Sequence, residues 1–129
     1  MGILFDTHTL IWFLTDSPRL SEGVRRMLRN FAGNLFYSPV SILEISIKHS
    51  LKPEAMPCVS EEVAADAEVS GIRELPFLSR HAKVVGDLPW IHRDPFDRML
   101  ICQAKAEDMF LLTSDGRLPD YNEPCVILA

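Results

Sequence analysis

Four acidic residues have the types and the positions along the chain to form one metal site. Asp6 directly follows a short apolar run, and Asp115 follows another after Thr113 and Ser114. Glu44 and Asp97 lie in segments with helical spacing. Converging carboxylates without a counter-charge would repel one another. A hard divalent cation such as Mg²⁺ or Mn²⁺, which prefers oxygen ligands, removes that repulsion. Such a site supports hydrolysis of a phosphodiester by metal-activated water.

Asp6 follows the apolar residues 2–5, which predict a short buried strand, and it precedes a helix that begins near His8. In open α/β sheets, ligands bind beyond the carboxyl ends of the strands, so Asp6 is a site candidate. Asp6 or Thr7 would equally be a good N-cap for that helix. This stretch alone leaves both interpretations open, and the other acids decide between them.

Glu44 lies in a nearly all-apolar helix predicted over residues 40–50. Two structural interpretations compete with a site: the segment that ends at Glu44 matches a capping box, and Lys48 stands one turn later as an ion-pair partner. Ser38 followed by Pro39 is the better helix start, which places Glu44 beyond the first turn. A carboxylate in so apolar a helix favours a site role.

The other two acids also have structural explanations. Asp94 followed by Pro95 repeats the cap-then-proline signature, so Asp97 falls in the first turn of the next helix, where acids complement the helix dipole. The same field favours the ionised form of a metal-binding carboxylate, so both roles coexist for Asp97, and Asp94 is assigned to the cap. Asp115 precedes a glycine, which is a common turn pair, but its place beyond a strand end matches that of Asp6.

The elements that would position these acids alternate along the chain. Short apolar runs predict five strands separated by helical segments, which is typical of a parallel α/β sheet with right-handed crossovers. With 129 residues and no repeat or linker, residues 1–129 are expected to form one domain. The predicted strands are residues 2–5, 35–37, 72–75, 109–113 and 126–128, and the predicted helices are residues 8–14, 20–30, 40–50, 60–70, 79–85 and 94–108.

Composition disfavours some classes of protein. No apolar run approaches the ~20 residues of a membrane span, and the N-terminus lacks the basic stretch of a secretory signal. Three cysteines without metal-ligand spacing fit a reducing cytoplasm. The net charge is −5, of which the four acids account for −4, so a nucleic-acid partner is permitted but not required.

Two groups of basic residues are candidates for nucleic-acid contacts. The first group lies near two of the acids, and the second lies on one predicted helix, where a solvated face is the preferred interpretation. The first group is His92, Arg93, Arg98 and Arg117, and the second is Arg25, Arg26 and Arg29.

Four segments carry a family resemblance. They read DTHTLIW at residues 6–12, SPVSILEI at residues 38–45, HRDPFDRML at residues 92–100 and LTSD at residues 112–115. Together they resemble the acidic motifs of the PIN-domain nucleases, and in particular those of the VapC-type toxin ribonucleases of bacterial toxin–antitoxin pairs. The match runs in the right order over nearly the whole chain, while residues 51–91 contribute little.

The resemblance implies a three-layer α/β/α PIN-like fold with a five-stranded parallel sheet in the order 3-2-1-4-5. It implies a Mg²⁺-dependent endoribonuclease toxin, with Mn²⁺ as a substitute ion and RNA as the substrate. It also implies a homodimer and a cognate VapB-type antitoxin bound near the active site. The residues that it assigns to catalysis and metal binding are Asp6, Glu44, Asp97 and Asp115.

Partners are expected on a second ground. The mean hydropathy of +0.08 is slightly apolar for a chain of this size. Trp12, Phe13 and Trp90 are large residues near predicted helix ends or loops. Some of that apolar surface should be covered by a second copy or by an antitoxin segment.

Two other classes of function remain open. Asp6 could instead be the phosphoacceptor of an aspartyl-phosphate phosphatase or a receiver domain. Such a phosphatase usually has a second acid two residues later, where this chain has His8, and no lysine follows an equivalent strand end. The third class is a PIN-like binding module without catalysis. The presence of all four acids argues against it, and a metal-dependent cleavage assay discriminates the two.

Overall fold

The chain forms a five-stranded sheet in a computed structural model that describes residues 1–91 and 93–129. The strands are β1 (Ile3–Phe5), β2 (Leu35–Tyr37), β3 (Arg73–Glu74), β4 (Phe110–Thr113) and β5 (Val126–Leu128). Their spatial order is β3-β2-β1-β4-β5, and every neighbouring pair is parallel. The predicted order 3-2-1-4-5 is therefore confirmed.

Helices connect the strands. They are α1 (Thr7–Leu14), α2 (Glu22–Arg29), α3 (Pro39–Leu51), α4 (Ser60–Val69), α5 (Ser79–Ala82) and α6 (Pro95–Ala106). Short 3-10 turns cover Val85–Asp87 and Leu118–Tyr121. The helix predicted over residues 79–85 ends at Ala82, and the Val85 carbonyl accepts a hydrogen bond from Arg98 at 2.7 Å. Strand β3 is shorter than the predicted 72–75.

Both faces of the sheet are covered. Alternate residues of β1 point to opposite sides, so that Ile3 and Phe5 join a core with α1, α2, α3 and α4, while Leu4 joins a second core with α6. In β4, Leu112 and Leu111 divide between the two cores in the same way. A sheet buried on both faces explains why these strands are continuous apolar runs, and the three-layer α/β/α arrangement is the predicted one.

The carboxyl ends of the central strands meet at one edge of the sheet. The Asp6 backbone N–H donates to the Leu112 carbonyl at 2.9 Å, so the ends of β1 and β4 lie side by side. Strand β2 pairs with β1 on its other side and leads directly into α3. This edge therefore carries the residues that follow three strands. No helix within residues 1–91 and 93–129 has the length and apolar character needed to cross a membrane.

Candidate active site

Asp6 lies at the carboxyl end of β1 and caps α1. Its Oδ1 accepts hydrogen bonds from the Thr9 backbone N–H at 2.9 Å and the Thr9 hydroxyl at 2.7 Å. Its Oδ2 accepts one from the Thr113 hydroxyl at 2.6 Å. Burial raises the pKa of Asp6, and the hydrogen bonds from Thr113 and Thr9 oppose that rise. The cap interpretation is thus confirmed, and it is compatible with a position at the sheet edge.

Glu44 lies in the second turn of α3 and is 4% exposed. Ser38 is the N-cap of this helix, so the alternative capping box at Glu44 is not formed. The alternative ion pair is formed, because Lys48 Nζ lies 2.5 Å from Glu44 Oε2. The other oxygen, Oε1, accepts a hydrogen bond from the Thr7 hydroxyl at 2.6 Å. Each oxygen of this buried carboxylate therefore already has a donor.

Asp97 lies in the first turn of α6, as predicted, and Asp94 caps that helix by accepting from the Phe96 backbone N–H at 2.9 Å. Burial raises the pKa of Asp97 to about 7, and the charges of four further carboxylates contribute. In order of effect these are Asp94, Asp6, Glu44 and Asp115. Asp97 is therefore within electrostatic range of each of the other acids.

Asp115 follows β4 and pairs with Arg117 in a forked arrangement. Arg117 Nε lies 3.1 Å from Oδ1 and Arg117 Nη2 lies 2.8 Å from Oδ2. The Arg117 backbone N–H also donates to Oδ1 at 2.9 Å, which is the turn expected for an Asp-Gly pair. Asp115 thus combines the turn with a place at the sheet edge.

One pocket of about 210 Å³ is bordered by the side chains of Asp6, Glu44, Asp97 and Asp115. The structure brings the four predicted acids together, while their roles in catalysis and metal binding stay a prediction. Asp94, which the sequence assigned only to a helix cap, also borders the pocket. The lining residues are Asp6, Thr7, His8, Glu44, Lys48, Asp94, Asp97, Ser114, Asp115 and Arg117.

The chemistry of this pocket fits a hard divalent cation. Five carboxylates line it, against the cationic side chains of Lys48 and Arg117, and carboxylate oxygens are the ligands that Mg²⁺ prefers. Within the described part of the chain, no three His, Cys, Asp or Glu side chains already form a set of metal ligands. Glu44 and Asp115 are instead turned towards Lys48 and Arg117. A bound cation would compete with Lys48 and Arg117 for these two carboxylates.

Carboxylates of the pocket raise the pKa values of both cationic side chains. Partial burial lowers the pKa of Lys48, but the hydrogen bond and charge of Glu44, with the charges of Asp94 and Asp97, outweigh burial and raise it. The hydrogen bond and charge of Asp115 raise the pKa of Arg117, and the charges of Asp97 and Asp94 add to this. Both cations therefore stay charged beside the acids.

Sequence reasoning missed the hydroxyl groups that hold the carboxylates. Thr9 and Thr113 orient Asp6, and Thr7 orients Glu44. The only signal in the sequence was Thr9 three residues after a candidate N-cap. The contacts of Thr7 and Thr113 join residues 37 and 107 positions apart, so no local pattern could reveal them.

The structure corrects the prediction for Arg98 as a nucleic-acid contact. Its side chain is fully buried. It donates to the carbonyls of Val85 at 2.7 Å, Pro89 at 2.8 Å and Leu88 at 3.0 Å. Its guanidinium carbon lies 3.6 Å from the ring centre of Trp90. A guanidinium enclosed in this way is unavailable to a polyanion, and its role is to hold residues 85–90 against α6.

The other basic candidates differ in their exposure and in their contacts. Arg25 is partly buried, donates to the Ser17 carbonyl at 2.7 Å and pairs with Asp16. Arg29 pairs with Glu22 on the exposed face of α2. The Arg29 pair agrees with the preferred interpretation of a solvated face, whereas the Arg25 side chain, 16% exposed, is more enclosed than that interpretation expects. Arg93 is exposed, and the prediction for His92 lies outside the described residues.

The fold is a parallel sheet between two layers of helices, and acidic residues gather at the carboxyl ends of its strands. These features define the class of the protein as an α/β domain with an acidic candidate active site. The chain belongs to the PIN domain family, whose model matches residues 3–124. A comparison with curated proteins gives no match.

Solved structures share the fold. VapBC2 from Rickettsia felis, bound to a DNA fragment from the promoter, matches with a TM-score of 0.68 and 16% identity, over 100% of this chain and 98% of that chain. DNA-bound VapBC from Salmonella typhimurium matches with a TM-score of 0.67 and 19% identity, over 100% of this chain and 97% of that chain. At these identities the likeness establishes the architecture.

Proposed function

We propose that this protein is a divalent-metal-dependent endoribonuclease and the toxin of a type II toxin–antitoxin pair. The observation that carries the proposal is the convergence of Asp6, Glu44, Asp97 and Asp115 on one pocket in a chain of the PIN family. The likeness of the whole chain to proteins of two VapBC complexes supports the toxin assignment. Mg²⁺ is the proposed ion, and Mn²⁺ should substitute for it.

The proposed roles follow from the local geometry. A divalent cation held by these acids would supply an activated water and a positive charge at the scissile phosphate. The orientation of Asp6 is fixed by three hydrogen bonds to its two oxygens, all of them from the buried residues Thr9 and Thr113. Asp97, with a pKa of about 7, would give up its proton on joining the ligand set. Glu44 and Asp115 would complete that set by turning away from their present partners.

The proposed partners are a VapB-type antitoxin and a second copy of the chain. The resemblance implies both, and exposed apolar surface supports them. Leu43, Ile47 and Leu51 follow one another at four-residue spacing on α3 and are 50%, 39% and 79% exposed. Trp90 is 67% exposed, whereas Trp12 and Phe13 are half-buried. The cysteines are free thiols, which fits the cytoplasmic location that we propose.

One assay tests the nuclease and its alternative together. Purified protein, freed of any bound partner, should cleave a panel of structured RNAs in Mg²⁺ or Mn²⁺, stop in EDTA and resume when the ion is restored. A phosphoacceptor would instead gain mass on Asp6 from acetyl phosphate or a fluoroberyllate mimic. Cleavage that persists in EDTA, or a stable phosphoryl adduct on Asp6, would overturn the proposal.

A further inference from the structure

Lys48 and Arg117 are the two cations of the acidic pocket, and each is held by one of its acids. Lys48 lies 2.5 Å from Glu44 and Arg117 lies 2.8 Å from Asp115. Glu44 and Asp115 are also two of the four acids proposed to bind the cation. In the metal-free site, Lys48 and Arg117 therefore offset the negative charge of two carboxylates. They would compete with a metal ion for those same carboxylates.

Charge decides what happens to these side chains when a divalent cation enters. The ion takes over the negative charge that attracted Lys48 and Arg117, and it repels both of them. Neither side chain is confined, because Lys48 is 41% exposed and Arg117 is 62% exposed. Both can therefore turn outward to the mouth of the pocket, where a polyanionic substrate must approach.

The chemistry of the two groups suits a phosphate. An arginine fork that fits a carboxylate also fits two oxygens of a phosphate, and a lysine ammonium binds phosphate as a point charge. We propose that Lys48 and Arg117 are phosphate-binding residues, held on Glu44 and Asp115 in the metal-free protein and transferred to the RNA backbone when those carboxylates bind the metal. This inference rests on the proposed nuclease function and adds two substrate-binding residues to it.

If Lys48 and Arg117 transfer to the RNA when the metal binds, the salt dependence of RNA binding should differ with and without the metal. Each phosphate contact on a single strand contributes about 0.7 to the slope of log Kd against log salt concentration. The wild-type slope should therefore be steeper in Ca²⁺ than in EDTA by about 1.4 for two contacts. Ca²⁺ takes oxygen ligands without the octahedral geometry that Mg²⁺ demands, and a gel would verify that the RNA stays intact.

The test uses the full chain and a fluorescently labelled, mixed-sequence single-stranded RNA. In Ca²⁺, Lys48→Met and Arg117→Met should each flatten the slope by about 0.7 relative to the wild type, and the double variant should flatten it by about 1.4. Between about 50 and 200 mM salt, the Kd of the double variant should then change about sevenfold less than that of the wild type. Lys48→Arg keeps the charge and should retain the wild-type slope.

A matched control and a second measurement separate binding from folding. Lys105 also pairs with an acid, Glu123, at 3.0 Å, but it lies outside the pocket. Lys105→Met should leave the slope unchanged. Mn²⁺ titration without RNA, followed by electron paramagnetic resonance, should show that Lys48→Met binds the ion at least as tightly as the wild type, because a competitor for Glu44 is gone.

The outcomes distinguish this inference from the function on which it rests. A wild-type protein that cleaves RNA with Mg²⁺, while the double variant keeps the wild-type slope in Ca²⁺, would overturn the inference and leave the nuclease standing. Weaker Mn²⁺ binding by Lys48→Met would also overturn it, since the lysine would then support the metal site. A wild-type protein that neither binds nor cleaves RNA with any divalent ion would remove both.

Discussion

Replacing Asp97 with asparagine should relieve a pH-dependent cost to the stability of the metal-free protein. The pKa of Asp97 is about 7 in the folded chain and 3.8 for the free side chain. Between these values the folded protein holds a proton that the unfolded chain has lost, so stability falls as the pH rises. The cost is absent below about pH 4, grows towards pH 7 and is complete above it.

The magnitude follows from the same two values. For an isolated group the difference corresponds to about 4 kcal/mol. Asp97 is only partly buried and its pocket is open to water, so we expect about 2 kcal/mol after screening. An asparagine side chain cannot ionise, so the Asp97→Asn protein should match the wild type near pH 4 and exceed its free energy of unfolding by about that amount at pH 8.

Urea unfolding in EDTA at pH 4, 5, 6, 7 and 8 measures this difference directly. Adding Mg²⁺ at pH 8 should reverse the ranking, because the wild type gains stability from a bound ligand and the variant has lost a carboxylate. Asp66→Asn, which replaces an exposed acid on α4, serves as the control and should show no such pH trend. A difference between Asp97→Asn and wild type that stays constant from pH 4 to pH 8 would refute the reasoning.

Three further substitutions test the site, the fold and the assembly. Asp6→Asn should abolish cleavage while folding survives or improves, because repulsion among carboxylates falls; unchanged cleavage at saturating Mg²⁺ would exclude Asp6 as a ligand. Arg98→Met should lower the free energy of unfolding by about 3 kcal/mol in urea, since it deprives three carbonyls of their donor, and an unchanged midpoint would contradict this. Ile47→Glu should shift a homodimer towards monomer in sedimentation, whereas Val69→Glu, at an 89% exposed position on α4, should not; a wild type that stays monomeric at high concentration would count against the dimer.

Local signals in the sequence determined most of the elements of this fold. Cap-then-proline pairs at Ser38 and Asp94 marked the starts of α3 and α6 to within one residue, because a cap is a contact between near neighbours. Continuous apolar runs marked the central strands, since a parallel strand covered on both faces has no polar side. Asp6 and Asp115 could be chosen because they follow predicted strands, and Glu44 because it interrupts an apolar helix. Asp97 could be chosen because it falls in the first turn of a helix with a clear start signal.

The tertiary structure determined the pKa of Asp97 and the contacts that the basic residues make. Arg98 and Arg117 look alike in the sequence, yet one is enclosed by backbone carbonyls and the other forks onto Asp115 at the pocket. The pKa of about 7 at Asp97 arises from burial, from the neighbouring Asp94 and from carboxylates on other segments of the chain. Desolvation and long-range contacts set both outcomes, and neither exists until the strands bring distant residues to one edge of the sheet.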